Sequence, residues 1–289
     1  MEGSEKMLQI VTDGSADMPP SWLEQYQIHV MPLMVRFGEK TFVQGVDLTN
    51  EAFYQMVNEQ QVIPKSSLPS PDQVKDFYRS IATRGEKILS IHLSSKLSGT
   101  FNAFQLAARE LANEYQIYLI DSGAGSAGLG FMCREARRMW QAGVPIEGIL
   151  TRMESVRNQL AITFTVDSLA FAHMSGRITT LQKALASLLN IKPIIVLRDG
   201  LLEMTDKVRT RHRSLDRIID IVSERVGKQR VDLAVVHAAD PAMAEEIMDK
   251  ARKVFNVRDF ILTDLSIPVA ANLGPGTIGI VAYPVIEGA

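Results

Sequence analysis

The chain predicts an α/β protein of two domains, and three observations carry that prediction. Strand-like and helix-like segments alternate through the first half, the pattern of a largely parallel sheet with helices on both faces. From about residue 145 the pattern changes to helices mixed with a hairpin, which predicts a mixed sheet in a second α/β domain. The length, 289 residues, suits about two domains of ordinary size. The expected division falls within 155–165, giving 1–158 as the N-terminal domain and 159–289 as the C-terminal one.

Residues 8–12 are a short strand ending in the turn Asp13-Gly14-Ser15-Ala16-Asp17. Pro19 and Pro20 suit a helix start and open a helix around Trp22 and Tyr26. Residues 29–37 are apolar and alternating, which predicts one further strand. Helical spacing follows at 51–57 and 72–82. Residues 87–93 and 116–120 predict buried strands, with helices behind them at 101–108 and 128–141. The second half predicts a long helix at 145–160, a strand at 161–166 and a helix at 179–189. A hairpin follows, with arms 192–197 and 202–208 joined at Asp199-Gly200. Helix 213–226, strand 231–237, helix 241–255 and terminal strands complete the order. There is no internal repeat, low-complexity tract or linker-like composition.

Bulk properties narrow the function classes. With 46% hydrophobic and 22% charged residues the chain is globular. A formal net charge of -2 gives no general reason for nucleic-acid binding. Cys133 is the only cysteine, so no intrachain disulfide can form and a reducing compartment fits. The first residues lead into a strand without a signal-peptide core, and no apolar run approaches the ~20 residues of a membrane span. The expectation is a cytoplasmic protein with no transmembrane segment and no nucleic-acid partner.

Three turns rich in hydroxyls or glycine stand out: Pro64-Lys65-Ser66-Ser67-Leu68-Pro69-Ser70-Pro71, Ser94-Ser95-Lys96-Leu97-Ser98-Gly99-Thr100, and Asn272-Leu273-Gly274-Pro275-Gly276. The middle one joins a buried strand to a helix, where free N–H groups and hydroxyls attract an anion. Ordinary capping by Ser98 and by Ser70 accounts for one hydroxyl per turn. It leaves Ser94, Ser95, Ser66 and Ser67 unexplained. No nucleophile–base pair accompanies them, so the chemistry suggested is holding a carboxylate or phosphate.

Other motifs have plainer readings. Gly123-Ala124-Gly125-Ser126-Ala127-Gly128 matches G-x-G-x-x-G, but nearly continuous helix follows it, with no second strand carrying a ribose-binding acid. A small-residue strand-to-helix turn is the better reading. Ser126 sits in a near-elbow context, yet position 124 is alanine and no histidine has an acid at diagnostic spacing. The five histidines are scattered and predict no metal site. The run from Lys207 to Arg213 is either a solvated hairpin end or a docking patch for an acidic partner.

Taken in order, these turns resemble the DegV family of bacterial fatty-acid-binding proteins, nearly end to end. Asp13-Gly14-Ser15-Ala16-Asp17 is similar to the family's D-S-x-x-D, and Ser66-Ser67-Leu68-Pro69-Ser70 to T-S-Q-P-S. Ser94 to Thr100 matches S-S-x-L-S-G-T in full. Ser175-Gly176-Arg177-Ile178 stands where G-G-R-I is expected, and Leu188 to Ile194, Lys207 to Arg211 and Gly274-Pro275-Gly276 complete the set.

The resemblance implies two α/β domains with a ligand cleft between them and a long-chain fatty acid buried there. It implies no enzyme but a carrier, presenting the acid to an ATP-dependent fatty acid kinase for phospholipid synthesis. The implied fatty-acid-binding residues are Ser66, Ser67, Ser94, Ser95, Ser98, Asn272 and Gly274, with Arg177 behind them. Arg209 and Arg211 are the implied partner-docking residues. No catalytic residue, metal or cofactor is expected. Phe164, Leu169, Phe171 and Met174 are tunnel candidates. Asn272 replaces a histidine usual in the family, and so carries no proton or charge. Ser66 replaces threonine, Leu68 glutamine and Ser175 glycine. The class alternative is an enzyme acting on a small acidic or phosphorylated substrate in the same cleft.

Overall fold

The computed structural model describes residues 7–60, 62–178 and 191–285. Its first sheet is fully parallel and contains β1 (Gln9–Asp13), β2 (Ile28–Met31), β6 (Lys87–His92) and β7 (Gln116–Asp121), in the order β2-β1-β6-β7. Side chains along a strand alternate between faces. Val11 and Ile88 therefore pack with Tyr78 of α3 (Pro71–Ile81) and Phe104 of α4 (Thr100–Glu110). Ile10, Leu89 and Ile91 pack the other way, with Phe131 and Met132 of α5 (Ser126–Gln141) and Trp22 of α1 (Ser21–Gln25). Helices on both faces are what the alternation predicted. Ser70 caps α3 through a capping box with Gln73.

The second sheet has six strands in the order β10-β9-β8-β13-β11-β12. They are β8 (Ala161–Thr165), β9 (Lys192–Arg198), β10 (Leu201–Val208), β11 (Arg230–His237), β12 (Asn256–Asp264) and β13 (Ile278–Pro284). All pairs are antiparallel except β11 with β12, so the sheet is mixed as expected. Helices α8 (Arg211–Val226) and α9 (Pro241–Val254) cover its outer face. Its inner face meets α5, which also packs on β1 and β6. Lying between two sheets, α5 is buried on nearly every side from Ala127 to Arg137, its Arg134 and Arg137 included. Gly128 has a packing role there, since a Cβ would lie 3.0 Å from Ile162 Cδ1. Helix α6 (Ile146–Arg157) follows directly, so no second strand succeeds the G-x-G-x-x-G turn.

Several elements depart from the expected order. The single strand at 29–37 is two, because Pro32 cannot donate to a ladder. Residues up to Met31 stay in the parallel sheet, whereas β3 (Met34–Phe37) turns into a separate antiparallel sheet with β4 (Lys40–Val43) and β5 (Lys65–Ser67). Helix α2 (Asn50–Gln60) lies between β4 and β5 in the chain. Strands β4 and β5 and the short helices α7 (Leu169–Ser175) and α10 (Ile267–Leu273) were not anticipated. Each is too short or too polar to display a period. The helix expected at 179–189 lies outside the described residues. Among the described residues no helix is long and apolar enough to cross a membrane.

Candidate functional site

The three hydroxyl turns converge. Strand β5 brings Ser66 and Ser67 beside β3, with Ser66 opposite Val35. Helix α10 packs on both strands and carries Asn272 in its last turn. The amide nitrogen of Asn272 donates to Ser66 Oγ at 3.1 Å and to the Pro268 carbonyl at 2.7 Å. Both amide protons are thereby engaged. Ser66 Oγ accepts one of them, which leaves its own proton free to donate elsewhere.

Opposite lies the start of α4. Its N-cap is Gly99, which has no side chain to offer, and Ser98 Oγ accepts from Thr100 N at 3.3 Å. Ser98 therefore makes a local hydroxyl turn rather than the expected helix cap. Its Oγ lies 2.9 Å from Thr100 Oγ1. Ser66, Ser67, Ser98, Thr100, Asn272 and Ser15 all line one cavity of about 240 Å³. Arg177 lines it too and is largely exposed. It is the only charged residue among the described lining, and it is a cation.

Leucines and a valine continue this cavity inward. Leu93, Leu97, Leu202, Val269 and Leu273 line both it and a deeper, apolar cavity of about 90 Å³. Phe164, Ile162, Val236 and Val281 lie further in. Of the other tunnel candidates, Leu169 and Phe171 pack against the core and Met174 is exposed. The space is thus polar at one end and apolar at the other.

Not every predicted site residue lines it. Ser94 Oγ donates to the Gly200 carbonyl at 2.8 Å, fastening the hairpin tip to the serine turn. Ser95 Oγ donates to Asp121 Oδ2 at 2.5 Å. Gly274 ends α10 with φ +85°, and a Cβ there would lie 2.7 Å from the Phe171 ring. Arg211 donates to the Gly276 carbonyl at 2.5 Å and lies 3.5 Å from Asp240, so it supports the Gly-Pro-Gly turn. Arg209 is exposed.

Ser15, in the turn Asp13–Asp17, lines the cavity although it is not among the site residues the sequence predicts. Its Oγ donates to Asp13 Oδ1 at 2.5 Å. Asp13 Oδ2 accepts from Leu93 N at 3.0 Å and from His92 Nδ1 at 3.1 Å. His92 Nε2 lies 2.6 Å from Ser90 Oγ, which lies 2.8 Å from Tyr78 OH. Burial raises the Asp13 carboxyl, but His92, Ser15 and the Leu93 amide outweigh it and hold the group below its usual value. Burial lowers His92 in spite of Asp13. The consistent state is an ionised Asp13 and a neutral His92, donating from Nδ1 and accepting at Nε2. Only a D-x-S spacing signalled Ser15, and such a turn is common.

A second buried acid lies by the deeper cavity. Asp17 Oδ2 accepts from Ser126 Oγ at 2.5 Å and Oδ1 from Ser266 N at 2.7 Å. Burial outweighs these donors and pushes its carboxyl up to about 6. Ser126, at φ +54°, lines that cavity. Among the described residues no cluster of His, Cys, Asp or Glu could hold a metal.

A four-stranded parallel sheet and a six-stranded mixed sheet, with a cavity lined by hydroxyls at one end and apolar side chains at the other, define an α/β protein with a site of mixed polarity. The chain belongs to the DegV family: the model described as "Uncharacterised protein, DegV family" matches residues 7–285. A DegV domain-containing protein of Streptomyces coelicolor is 32% identical over 274 residues, covering 94% of this chain and 96% of its own. The structure of DegV from Bacillus subtilis, a fatty acid binding protein, is 28% identical with TM-score 0.86, covering 97% of this chain and 100% of its own. A Thermus thermophilus structure described as "Fatty Acid Binding of a DegV family Protein" is 28% identical with TM-score 0.85, covering 96% and 99%.

Proposed function

We propose that the protein binds a long-chain fatty acid between domains 1–158 and 159–289, as a carrier rather than an enzyme. The carboxylate sits among Ser66, Ser67, Ser98, the α4 amides and Asn272, with Arg177 at the rim, and the acyl chain runs inward past Leu93, Leu97 and Phe164. The observation that carries this reading is the continuity of a hydroxyl-lined cavity with an apolar one through shared leucines. A buried carboxylate needs several donors or it takes up a proton. Chain burial at roughly 0.8 kcal/mol per CH₂ supplies most of the affinity. The fatty-acid-binding DegV structures support the same reading by their similarity.

Denaturing the purified protein and identifying released lipid by mass spectrometry tests this. The expected result is a stoichiometric fatty acid. Nucleotide alone, or no lipid even after loading with several acids, overturns it.

The finer reading is that the loaded protein presents its acid to an ATP-dependent fatty acid kinase for phospholipid synthesis. Exposed Arg209 is the docking candidate, while Arg211 acts mainly by fixing the Gly-Pro-Gly turn. Arg209→Glu is expected to lower acyl-phosphate formation and leave lipid affinity unchanged, because exposed charges are screened. Equal phosphorylation assigns Arg209 to a solvated face.

A further inference from the structure

A larger cleft, of about 550 Å³, contains none of the predicted site residues. Its charged lining is unequal. Lys96, Arg157, Arg198 and Arg225 face it against Glu154 and Asp199, in a chain whose formal net charge is -2. The cations converge from four places: the turn after β6, the end of α6, the end of β9 and the last turn of α8. We propose that this cleft is a second ligand site, for a phosphate-bearing anion.

The argument rests on which arginines are already engaged. Elsewhere on the surface guanidinium groups hold close carboxylates: Arg217 lies 2.8 Å from Asp206 and 3.1 Å from Glu224, and Arg79 lies 2.8 Å from Glu114. In the cleft Arg198 comes no closer than 3.7 Å to Glu203. Arg225 gives one N–H to the Asn158 carbonyl at 3.0 Å, leaving the rest of its fork. Arg157 has no hydrogen bond or ion pair among the described residues. It lies across Gly123, where a Cβ would come 2.8 Å from its Nε.

The floor is equally specific. Gly123 and Gly200 both have positive φ, +59° and +77°, and a Cβ on Gly200 would lie 2.6 Å from Ser94 Oγ and 3.7 Å from Gly123 Cα. Lys96 Nζ donates to the Asp199 carbonyl at 2.7 Å, so the hairpin tip is tied to the serine turn at this cleft. One carboxylate satisfies one planar fork. A phosphate monoester carries about -1.5 to -2 charges and three strong acceptor oxygens, enough for more than one fork and for the excess of cations. Ile162 and Leu197 line this cleft and the deep apolar cavity alike, but only the cleft has charged side chains in its lining. The site stands whether or not a fatty acid occupies the neighbouring cavity.

Calorimetric titration of the full chain with inorganic pyrophosphate at low salt tests the proposal. One saturable site is expected, weakened at least about 10-fold in Arg157→Gln/Arg198→Gln, as loss of charge-assisted bonds requires. Both side chains are exposed, so a thermal melt of the variant should match wild type. Sedimentation with phosphatidylglycerol vesicles, beside phosphatidylcholine vesicles, separates the sources of phosphate. Pyrophosphate binding without vesicle binding identifies a small soluble anion. Vesicle binding that pyrophosphate displaces, and that the variant loses, identifies a lipid head group. No binding of either probe, or binding the variant retains within about twofold, overturns the site.

Discussion

Two hydroxyl networks lie on either side of Ser15, and they use the same kinds of residue to opposite ends. The inner one runs Tyr78–Ser90–His92–Asp13, all fully buried. Every proton in it has an acceptor inside the protein. The outer one joins Asn272 to Ser66 and Ser98 to Thr100, and it faces the cavity with the Ser66 proton still to give. Closed networks stabilise a fold because an unpaired buried group is costly. An open one can donate to a further acceptor, which is the role proposed for Ser66. Serine content does not distinguish the two; the tally of protons does.

The largest effect should come from opening the closed network. His92→Ala leaves the Asp13 charge short of a donor and empties the space of a buried ring, and lost donor and cavity together cost about 3–5 kcal/mol. Urea denaturation at neutral pH measures this. A loss under about 1 kcal/mol would mean that Asp13 is adequately held by Ser15 and Leu93 alone.

Asp17 gives the next effect, and it depends on pH. Its folded carboxyl is raised to about 6 from 3.8, so the folded state binds the extra proton between those values. Stability from this group is present below about 4 and is lost as pH rises through 6, by about 3 kcal/mol. His92, lowered from 6.5, has the opposite slope, losing stability as pH falls below 6.5. Asp17→Asn should therefore raise stability at pH 8 relative to that at pH 5, compared with wild type, because the opposing His92 slope is no longer offset. Identical pH profiles for the two proteins would show that Asp17 titrates normally.

Ser66→Ala sharpens the comparison at the open network. Removing one donor from a bound carboxylate costs on the order of 1.5–3 kcal/mol, or roughly 10- to 100-fold in affinity. Ser95→Ala, whose hydroxyl is engaged with Asp121, should leave acid affinity within about threefold and act on stability instead. Equal losses of affinity in both variants would erase the distinction between open and closed hydroxyls.

The smallest effect is expected at Asn272. Wild-type acid binding should be nearly flat between pH 6 and 8, since the amide does not titrate. In Asn272→His a neighbouring carboxylate raises the imidazole pKa above about 6.5. The added affinity is then present at low pH and lost as pH rises through the raised value. Affinity titrations of both proteins decide it; a flat histidine variant removes residue 272 from the carboxylate's surroundings.

The parallel sheet, the hairpin and the mixed sheet were legible because strands of five residues or more and helices of three turns or more display their period. Short elements were not. Strand β5 is three residues, Lys-Ser-Ser, and exists because β3 accepts it as a partner. Helix α10 is seven residues, and its packing on β3 and β5 is tertiary. These two carry Ser66 and Asn272, so the order of the turns suggested a shared site while their meeting depended on contacts no local pattern encodes. Ser94 and Ser95 stood in the same motif as Ser98, and sequence could not tell which hydroxyls the protein itself would engage.

The fastening of Ser94 and Lys96 to the hairpin tip also bears on time. Along the seam between the two sheets, one end is held by the buried guanidinium of Arg134, which pairs with Asp232 and with Asp259 at 2.6 Å. The other end is held by two neutral-carbonyl bonds, to Gly200 and to Asp199. Two such bonds are worth about 2 kcal/mol net, whereas stripping a partner from the buried ion cluster costs about 3–5 kcal/mol. The two ties are therefore unequal, the stronger at Arg134 and the weaker at the serine turn. Local opening is expected to be easier at the weaker tie, so backbone amides beside Gly200 should exchange with solvent faster than those beside Asp232.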